Sequence, residues 1–270
     1  MFDLTALEAA LAGSIFASKL HFSPVTSSTN TDAVEAARAG AEHGTVYFAD
    51  EQLAGRGRGD HGWRSAAGEG LYVSVLLRPA MEARRLPLLP LAAGLAAADA
   101  IRAACGLEAD LRWPNDLMMG LRKAGGILVE SKTEAGKVAF AVVGIGINVH
   151  QREFAPGLAT PATSLDLEAG YRVSRQPLLV SLLKSLEREA VWLAEAAAGK
   201  TIPRRVEAAS TWVSGRRVQV HGPQACTGVT AGLDEDGFLL VETDAGLVTV
   251  QTGGIRSAET IGESSQGQMF

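Results

Sequence analysis

The chain has 270 residues, of which 47% are hydrophobic and 20% charged, a composition typical of a water-soluble globular protein. Its formal net charge of −5 excludes a general nucleic-acid binder, so any basic site must be local. Its two cysteines, Cys105 and Cys226, show no metal or redox spacing, and Asp3 and Glu8 stand where a secretory leader would be basic, so we expect a protein of the reducing cytoplasm.

The first half of the chain predicts helices that alternate with strands. Leu4, Leu7 and Leu11 recur at helical spacing and predict a short helix within residues 1–20. The following elements are an extended piece over 21–25, a helix over 31–39 ended by Gly40, strands over 45–49 and 70–77, and an alanine- and leucine-rich helix over 88–104. The longest nearly apolar run, 86–101, contains two prolines and an aspartate, so it is too short and too interrupted to predict a membrane span.

The second half predicts a hairpin, a helix and a small all-β module. A turn at 134–137 joins strands over 123–132 and 137–149, and 151–173 reads as a loop. One helix is predicted over 176–199, with Gly199 as its C-terminal cap. From Trp212 onward, short strands joined by Gly, Asp and Pro turns predict a module of about five strands, and the residues from Gly262 on predict a frayed tail.

Residues 55–65, Gly-Arg-Gly-Arg-Gly-Asp-His-Gly-Trp-Arg-Ser, form the most informative segment. Glycines allow a backbone to lie close to a ligand and to point its N–H groups at an anion. Arg56 and Arg58 add permanent positive charge whose fork geometry fits a carboxylate or a phosphate. A disordered Arg-Gly linker is disfavoured, because the segment is a single short copy between two apolar strands. It predicts an anion-binding loop.

Three other segments are polar within apolar surroundings. Residues 27–30, Ser-Ser-Thr-Asn, could cap a helix or bind a small polar ligand, and composition favours neither. Lys123 precedes Gly125 and Gly126, so it is either a solvated strand-edge lysine or one beside a closely approaching ligand. Asn148 ends a hydrophobic strand and must bond a turn or a ligand if it is buried. Together with the loop, these segments predict nucleotide-plus-carboxylate chemistry.

Taken together, these residues resemble the motifs of a known family, the biotin protein ligases. The matching motifs are Ser28-Thr-Asn30, Gln52 with Gly55-Arg-Gly-Arg58 and Trp63, Trp113-Pro-Asn-Asp116, Lys123 with Gly126-Ile-Leu-Val-Glu130, and Gly144-x-Gly-x-Asn148. The resemblance runs from about residue 20 to about residue 260. It implies an α+β catalytic domain over 1–211, with a mixed, mainly antiparallel sheet flanked by helices, and an SH3-like β-barrel over 212–262, followed by a tail over 263–270.

The resemblance also implies an activity and its residues. Members activate biotin with ATP to biotinyl-5′-adenylate and pass the biotinyl group to a lysine of a biotin carboxyl carrier protein, by default that of acetyl-CoA carboxylase. Lys123 and Arg58 are the implied catalytic residues. The implied biotin site comprises Ser28, Thr29, Asn30, Gln52, Gly55, Arg56, Gly57, Arg58, Lys123 and Gly126. The implied ATP site comprises Arg58, Trp63, Asn115, Asp116, Lys123 and Asn148, with Asp116 as the Mg²⁺ ligand.

Two departures from the family pattern carry expectations. Many members continue the Gly-Arg segment with another Gly-Arg pair, whereas this chain has Asp60 and His61, so we expect looser retention of the adenylate. Only about twenty residues precede the first predicted core strand, so we expect no DNA-binding role; we also expect no membrane partner, while a homo-oligomer stays open. The alternatives are a lipoate–protein ligase and a non-catalytic biotin-binding regulator; octanoyl transfer through Cys105 is weaker, because that cysteine lies outside every motif.

Overall fold

A computed structural model describes residues 2–59, 61–194 and 197–258 of the chain. Its helices are α1 (Leu4–Ala10), α2 (Thr29–Arg38), α3 (Leu88–Cys105), α4 (Leu165–Ala169), α5 (Arg175–Ala194) and α6 (Ala198–Ala209). Its strands are β1 (Leu20–Thr26), β2 (Val46–Gln52), β3 (Gly70–Leu77), β4 (Asp110–Arg112), β5 (Asp116–Met119), β6 (Arg122–Glu134), β7 (Lys137–Asn148), β8 (Ser214–His221), β9 (Cys226–Leu233), β10 (Leu239–Thr243), β11 (Gly246–Val250) and β12 (Gly254–Ser257). The predicted tail and Asp60 lie outside the described residues.

The larger sheet has seven strands in the order β1-β2-β3-β7-β6-β5-β4. Strands β1 and β2 run parallel because helix α2 crosses between them, and every other neighbouring pair in this sheet is antiparallel. The central hairpin β6–β7 turns at Ala135-Gly136, where both residues have positive φ. The predicted mixed, mainly antiparallel sheet flanked by helices is confirmed.

The two faces of this sheet are covered differently. Along β3, Leu71, Val73, Val75 and Leu77 belong to the main core, whereas Leu76 packs with Ala33 and Ala37 of helix α2. Because side chains alternate along a strand, Tyr72 and Ser74 share the α2 face with Leu76. That face therefore carries α2 at one end and polar side chains beside it.

Helix α3 fills the other face. It has 18 residues, its leucines and alanines are largely buried, and it ends at Gly106, whose left-handed backbone (φ 68°) closes the last turn. By length and composition this helix could cross a membrane, but 61% of it is buried inside the protein. It packs against α5, α6 and strands β4 to β7, so it is a core helix of this fold.

The C-terminal strands form a separate antiparallel sheet in the order β11-β10-β9-β8-β12. The predicted all-β module of about five strands is confirmed, and the sheet has five. Strands β11 and β12 lie at opposite edges, so the sheet is open within residues 214–257 and the barrel closure implied by the resemblance is not seen there. The Nε1 of Trp113 donates to the carbonyl of Gly237 at 3.1 Å, which joins the two sheets.

Two element predictions were wrong. The predicted loop over 151–173 contains the short helix α4, which begins after Ser164. The predicted single helix over 176–199 is two helices, and Gly199 lies in the first turn of α6 instead of capping α5. A Cβ at Gly199 would lie 2.6 Å from the carbonyl oxygen of Glu235. The glycine is therefore required by this close approach, a tertiary contact that helix-end chemistry does not reveal.

Candidate active site

The floor of the site is a depression in the α2 face of the large sheet. In register across β6, β7 and β3, Gly126 pairs with Gly146 and Gly146 with Tyr72, while Gly144 pairs with Leu128 and with Ser74. The three glycines place no side chain on this face, which leaves room above the strands. A Cβ at Gly144 would lie 2.0 Å from Asn30 Oδ1, and one at Gly146 would lie 2.7 Å from Trp63 Nε1. The glycines therefore admit Asn30 and Trp63 to the floor.

The N-terminus of helix α2 supplies a polar wall. Ser28, Thr29 and Asn30 are all buried, with exposures of 2%, 4% and 4%. The Ser74 hydroxyl lies 2.8 Å from Thr29 Oγ1 and donates to Asn30 Oδ1 at 2.6 Å. Ser28 is the N-cap residue of α2, yet its side chain makes no capping hydrogen bond within the described chain. The sequence left helix capping and ligand binding open for this segment. Capping does not use the Ser28 hydroxyl, which favours ligand binding for that residue.

Gln52 ties this wall to the Gly/Arg loop. Its Oε1 accepts hydrogen bonds from the Thr29 N–H at 2.9 Å and the Thr29 hydroxyl at 3.1 Å. Its Nε2 donates to Ser65 Oγ at 2.7 Å, at the far end of the loop. One amide side chain therefore fixes both the helix start and the return of the loop.

The Gly/Arg loop, residues 55–65, folds back on itself. The Trp63 N–H donates to the Gly55 carbonyl at 2.8 Å, and the Gly57 N–H donates to the His61 carbonyl at 2.7 Å. A Cβ at Gly55 would lie 2.4 Å from the Trp63 carbonyl oxygen, so only glycine fits there. The Trp63 indole N–H is buried and has no partner among the described residues.

The two arginines of the loop are held by different partners. Arg56 Nη2 lies 2.6 Å from Glu130 Oε2, which also accepts from Asn30 Nδ2 at 2.9 Å. The Arg58 guanidinium donates to the Gly253 carbonyl and, at 3.2 Å, to the Thr252 hydroxyl in the C-terminal sheet region. Burial lowers the pKa of Arg58, and the negative charge of Asp116 opposes that shift. Arg58 nevertheless stays protonated, as arginines in proteins do.

Lys123 belongs to a cluster of three charged side chains. Its Nζ lies 2.5 Å from Asp116 Oδ1, while Arg112 Nη2 lies 2.6 Å from Asp116 Oδ2. The same amine lies 5.5 Å from the centre of the Trp63 ring, within cation–π distance. Asp116 also acts electrostatically on Arg58, which it does not contact, so these four side chains together carry a net charge of +2.

Asn115 and Asn148 both donate their amides to backbone carbonyls. Asn115 Nδ2 donates to the Ile127 carbonyl at 2.7 Å. Asn148, with only 7% exposure, donates to the Thr163 carbonyl at 3.0 Å. Of the two partners that the sequence left open for Asn148, the structure therefore shows a backbone segment, the one before α4.

These side chains surround two connected spaces. A narrow cavity of about 50 Å³ lies over the glycine floor, and a cleft of about 750 Å³ opens beside it toward the C-terminal sheet. The cleft has the size of a typical small-molecule site. Both spaces share the wall residues Gly57, Arg58, Trp63, Asn115 and Lys123.

Most of the predicted site residues come together in these spaces. The narrow cavity also contacts Ser28, Thr29, Asn30, Gln52, Arg56 and Gly126, while Asp116 and Asn148 line only the cleft. Gly55 lines neither space and acts through the loop fold instead.

Sequence reasoning assigned no role to Ser74, Glu130, Arg112 or Thr252. Ser74 could have been noticed, because it is a polar residue inside the apolar run of β3. The roles of Glu130, Arg112 and Thr252 follow only from the side chains that they contact in the folded chain.

Comparisons with known proteins agree with this geometry. Residues 22–148 match the model described as the Biotin/lipoate A/B protein ligase family, and residues 213–255 match the Biotin protein ligase C terminal domain. The chain is 33% identical over 239 residues to the bifunctional ligase/repressor BirA of Bacillus spizizenii, covering 87% of this chain and 73% of that protein. It is 33% identical over 238 residues to the biotin–[acetyl-CoA-carboxylase] ligase of Mycobacterium tuberculosis, covering 85% of each.

A solved structure is also similar. The biotin protein ligase from Aquifex aeolicus, in complex with biotin and ATP, superposes with a TM-score of 0.74 at 30% sequence identity. The match covers 88% of this chain and 98% of that one.

Proposed function

We propose that this chain, which belongs to the biotin protein ligase family, activates biotin with ATP to biotinyl-5′-AMP and then transfers the biotinyl group to a lysine of a biotin carboxyl carrier protein. The observation that carries this proposal is the +2 junction of Arg58, Arg112, Lys123 and Asp116: all four line the cleft, and Arg58 and Lys123 line the narrow cavity as well. The comparisons name biotin ligases among relatives and solved structures, so the lipoate alternative is not favoured.

The first step brings two anions together. A biotin carboxylate oxygen attacks the α-phosphorus of ATP, a C(O)O–P bond forms, and the bond from that phosphorus to the bridging oxygen breaks, so pyrophosphate leaves. Carboxylate and α-phosphate each carry negative charge, and the +2 junction matches the pair. Lys123 and Arg58 are the proposed catalytic residues, because fixed positive charge lowers such a barrier by electrostatic stabilisation.

The second step requires the acceptor amine to lie close to the acyl carbon and water to be excluded from it. The acceptor lysine attacks the acyl carbon as a free amine; an amide bond forms, the C–O bond to AMP breaks, and the amine loses a proton. The Gly/Arg loop covers the glycine floor, and Trp63 packs against it, so the mixed anhydride is kept from water until the amine arrives.

The narrow cavity is the proposed biotin site. Ser28, Thr29, Asn30 and Gln52 present hydroxyl and amide groups suited to a cyclic urea, and Ser74 orients two of them. Gly126, Gly144 and Gly146 place no side chain of their own on this face, and Trp63 and Asn30 occupy part of the space above them. At about 50 Å³ the cavity requires the covering side chains to shift as biotin enters.

The cleft is the proposed ATP site, with Trp63, Asn115, Asp116 and Asn148 on its walls. Asp116 is the proposed protein ligand of Mg²⁺, which at nucleotide sites needs only one or two carboxylates beside phosphate oxygens and waters. Both oxygens of Asp116 are paired here with Lys123 and Arg112, so Mg²⁺ would have to displace one of these cations. No step is assigned to the metal.

The remaining assignments are also proposals. We divide the chain into a catalytic domain over 1–211 and a C-terminal domain over 212–262, because the two sheets fall on either side of residue 212. We place the protein in the cytoplasm, where Cys105 and Cys226, both free, stay reduced.

The test is a pyrophosphate-release assay with ATP and Mg²⁺, run with biotin, with lipoate and with neither. We expect release that depends on biotin, followed by biotinylation of a purified carrier domain in the presence of ATP. Lipoate-dependent release would assign the lipoate ligase activity instead. Binding of biotin without any release would leave a non-catalytic regulator.

A further inference from the structure

Arg58 differs from the other cations of the junction in what holds it. Arg56 is paired with Glu130, and Arg112 and Lys123 share Asp116. Among the described residues, Arg58 donates hydrogen bonds to the Gly253 carbonyl and the Thr252 hydroxyl, both neutral. Neutral acceptors fix the position of a guanidinium without cancelling its charge, so that charge stays available to an anionic ligand.

Both acceptors belong to one turn of the C-terminal domain. Thr252 and Gly253 connect β11 to β12 at the rim of the cleft. Gln224 Oε1 accepts from the Gln251 N–H at 2.8 Å and from the Thr252 N–H at 3.4 Å, which holds the turn from one side. Gly253 has φ 123°, and a Cβ there would lie 2.0 Å from the His221 carbonyl oxygen, so the turn also lies tightly against β8.

We propose that Thr252, together with the Gly253 carbonyl, is a positioning element for Arg58: the C-terminal domain holds this guanidinium through neutral acceptors, at the wall that the biotin cavity and the nucleotide cleft share. The proposal deepens the proposed function and rests on it. It gives the C-terminal domain a role in adenylate formation, exerted through the Gly/Arg loop. Thr252 acts through Arg58 and touches no reacting atom in this scheme.

The competing interpretation is a simple tether, in which any partner that holds Arg58 would serve. Three substitutions separate the two. Thr252→Val removes the acceptor, Thr252→Ser keeps it, and Thr252→Asp provides a stronger acceptor that cancels the charge of Arg58. Thr249 is the matched control, because its side chain is exposed on β11 and its contact with Gln224 is made by the backbone carbonyl, which these substitutions keep.

The readouts are single-turnover biotinyl-adenylate formation and the dissociation rate of the adenylate, with Tm as the check on folding. We expect adenylate formation to fall about fivefold in Thr252→Val and more than tenfold in Thr252→Asp, with Thr252→Ser near wild type, since a tenfold change corresponds to about 1.4 kcal/mol. Thr249→Val and Thr249→Asp should leave the rate unchanged.

Two outcomes would overturn the inference. If Thr252→Asp forms the adenylate at least as fast as wild type, Arg58 needs only a hydrogen-bond partner at this position, and that partner need not be neutral. If Thr252→Val and Thr252→Asp both match the Thr249 controls, the turn has no part in positioning. Both results presuppose that wild type releases pyrophosphate with biotin; if it does not, the proposed function itself fails, which keeps the two failures distinct.

Discussion

Substitution of Gly144, one of the three glycines in the floor of the site, should weaken biotin binding. Alanine there would place its Cβ 2.0 Å from Asn30 Oδ1 and 2.8 Å from Asn30 Cγ, so the amide must move by more than about 1 Å to reach ordinary contact distance. Moving it breaks the 2.6 Å hydrogen bond from Ser74 and the 2.9 Å bond to Glu130. The polar wall of the proposed biotin site would lose its centre.

The size of the effect follows from those two contacts. A neutral hydrogen bond contributes about 1 kcal/mol and one to a charged group about 1.5–3 kcal/mol, so the site would lose about 3 kcal/mol. At 1.4 kcal/mol per factor of ten, biotin should bind about 100-fold more weakly to Gly144→Ala. Both bonds also stabilise the folded chain, so Tm should fall as well, but Gly144 has no positive φ and alanine therefore adds no backbone strain there.

The assay is calorimetric titration with biotin alone, since ATP is then absent and binding is measured apart from chemistry. Gly94→Ala is the control, because that glycine lies inside helix α3 and a Cβ there would make only ordinary contacts, the nearest at 3.4 Å to Leu111. Its Tm should hold or rise, as alanine favours a helix over glycine, and its biotin affinity should not change. A Gly144→Ala protein that is folded and binds biotin within threefold of wild type would refute the reasoning.

Three further predictions concern charge. Lys123→Ala should slow pyrophosphate release by about a hundredfold or more with little change in Tm, because Asp116 keeps Arg112 as its partner; ordinary turnover in this variant would remove the proposed catalytic role. Asp116→Asn should lower the free energy of unfolding in guanidinium by about 3 kcal/mol, because the Arg112 side chain, only 8% exposed, loses its counter-charge; an unchanged midpoint would contradict this. Burial lowers the pKa of His43 below its ordinary value of 6.5. As the pH falls below about 6.5, the unfolded chain therefore binds a proton before the folded chain does, and the stability of the fold should decrease. His43→Gln should flatten the curve of Tm against pH between about pH 5 and 7; an unchanged slope would assign the pH dependence to other groups.

Much of the catalytic fold could be read from the sequence. The β6–β7 hairpin follows from its turn residues, and α3 from its run of leucines and alanines, since both signals are local. The errors arose where a tertiary contact outweighed a local preference. Gly199 looks like a helix stop, but it is a glycine because the Glu235 carbonyl lies against it from another part of the chain. No local pattern encodes that neighbour.

The same division holds for the site. The chemistry of the site could be predicted from the sequence. Glycine, arginine, lysine and asparagine are costly or unusual among apolar strands unless they bind a ligand or a structural partner. Only the fold decided which of these groups face one another. Strand register puts Gly126, Gly144 and Gly146 on one face, and the packing of two sheets brings Thr252 to Arg58 across 194 residues. The residue types set what the protein can bind, while the charge that remains free at the junction depends on pairings between distant segments, which exist only once the chain has folded.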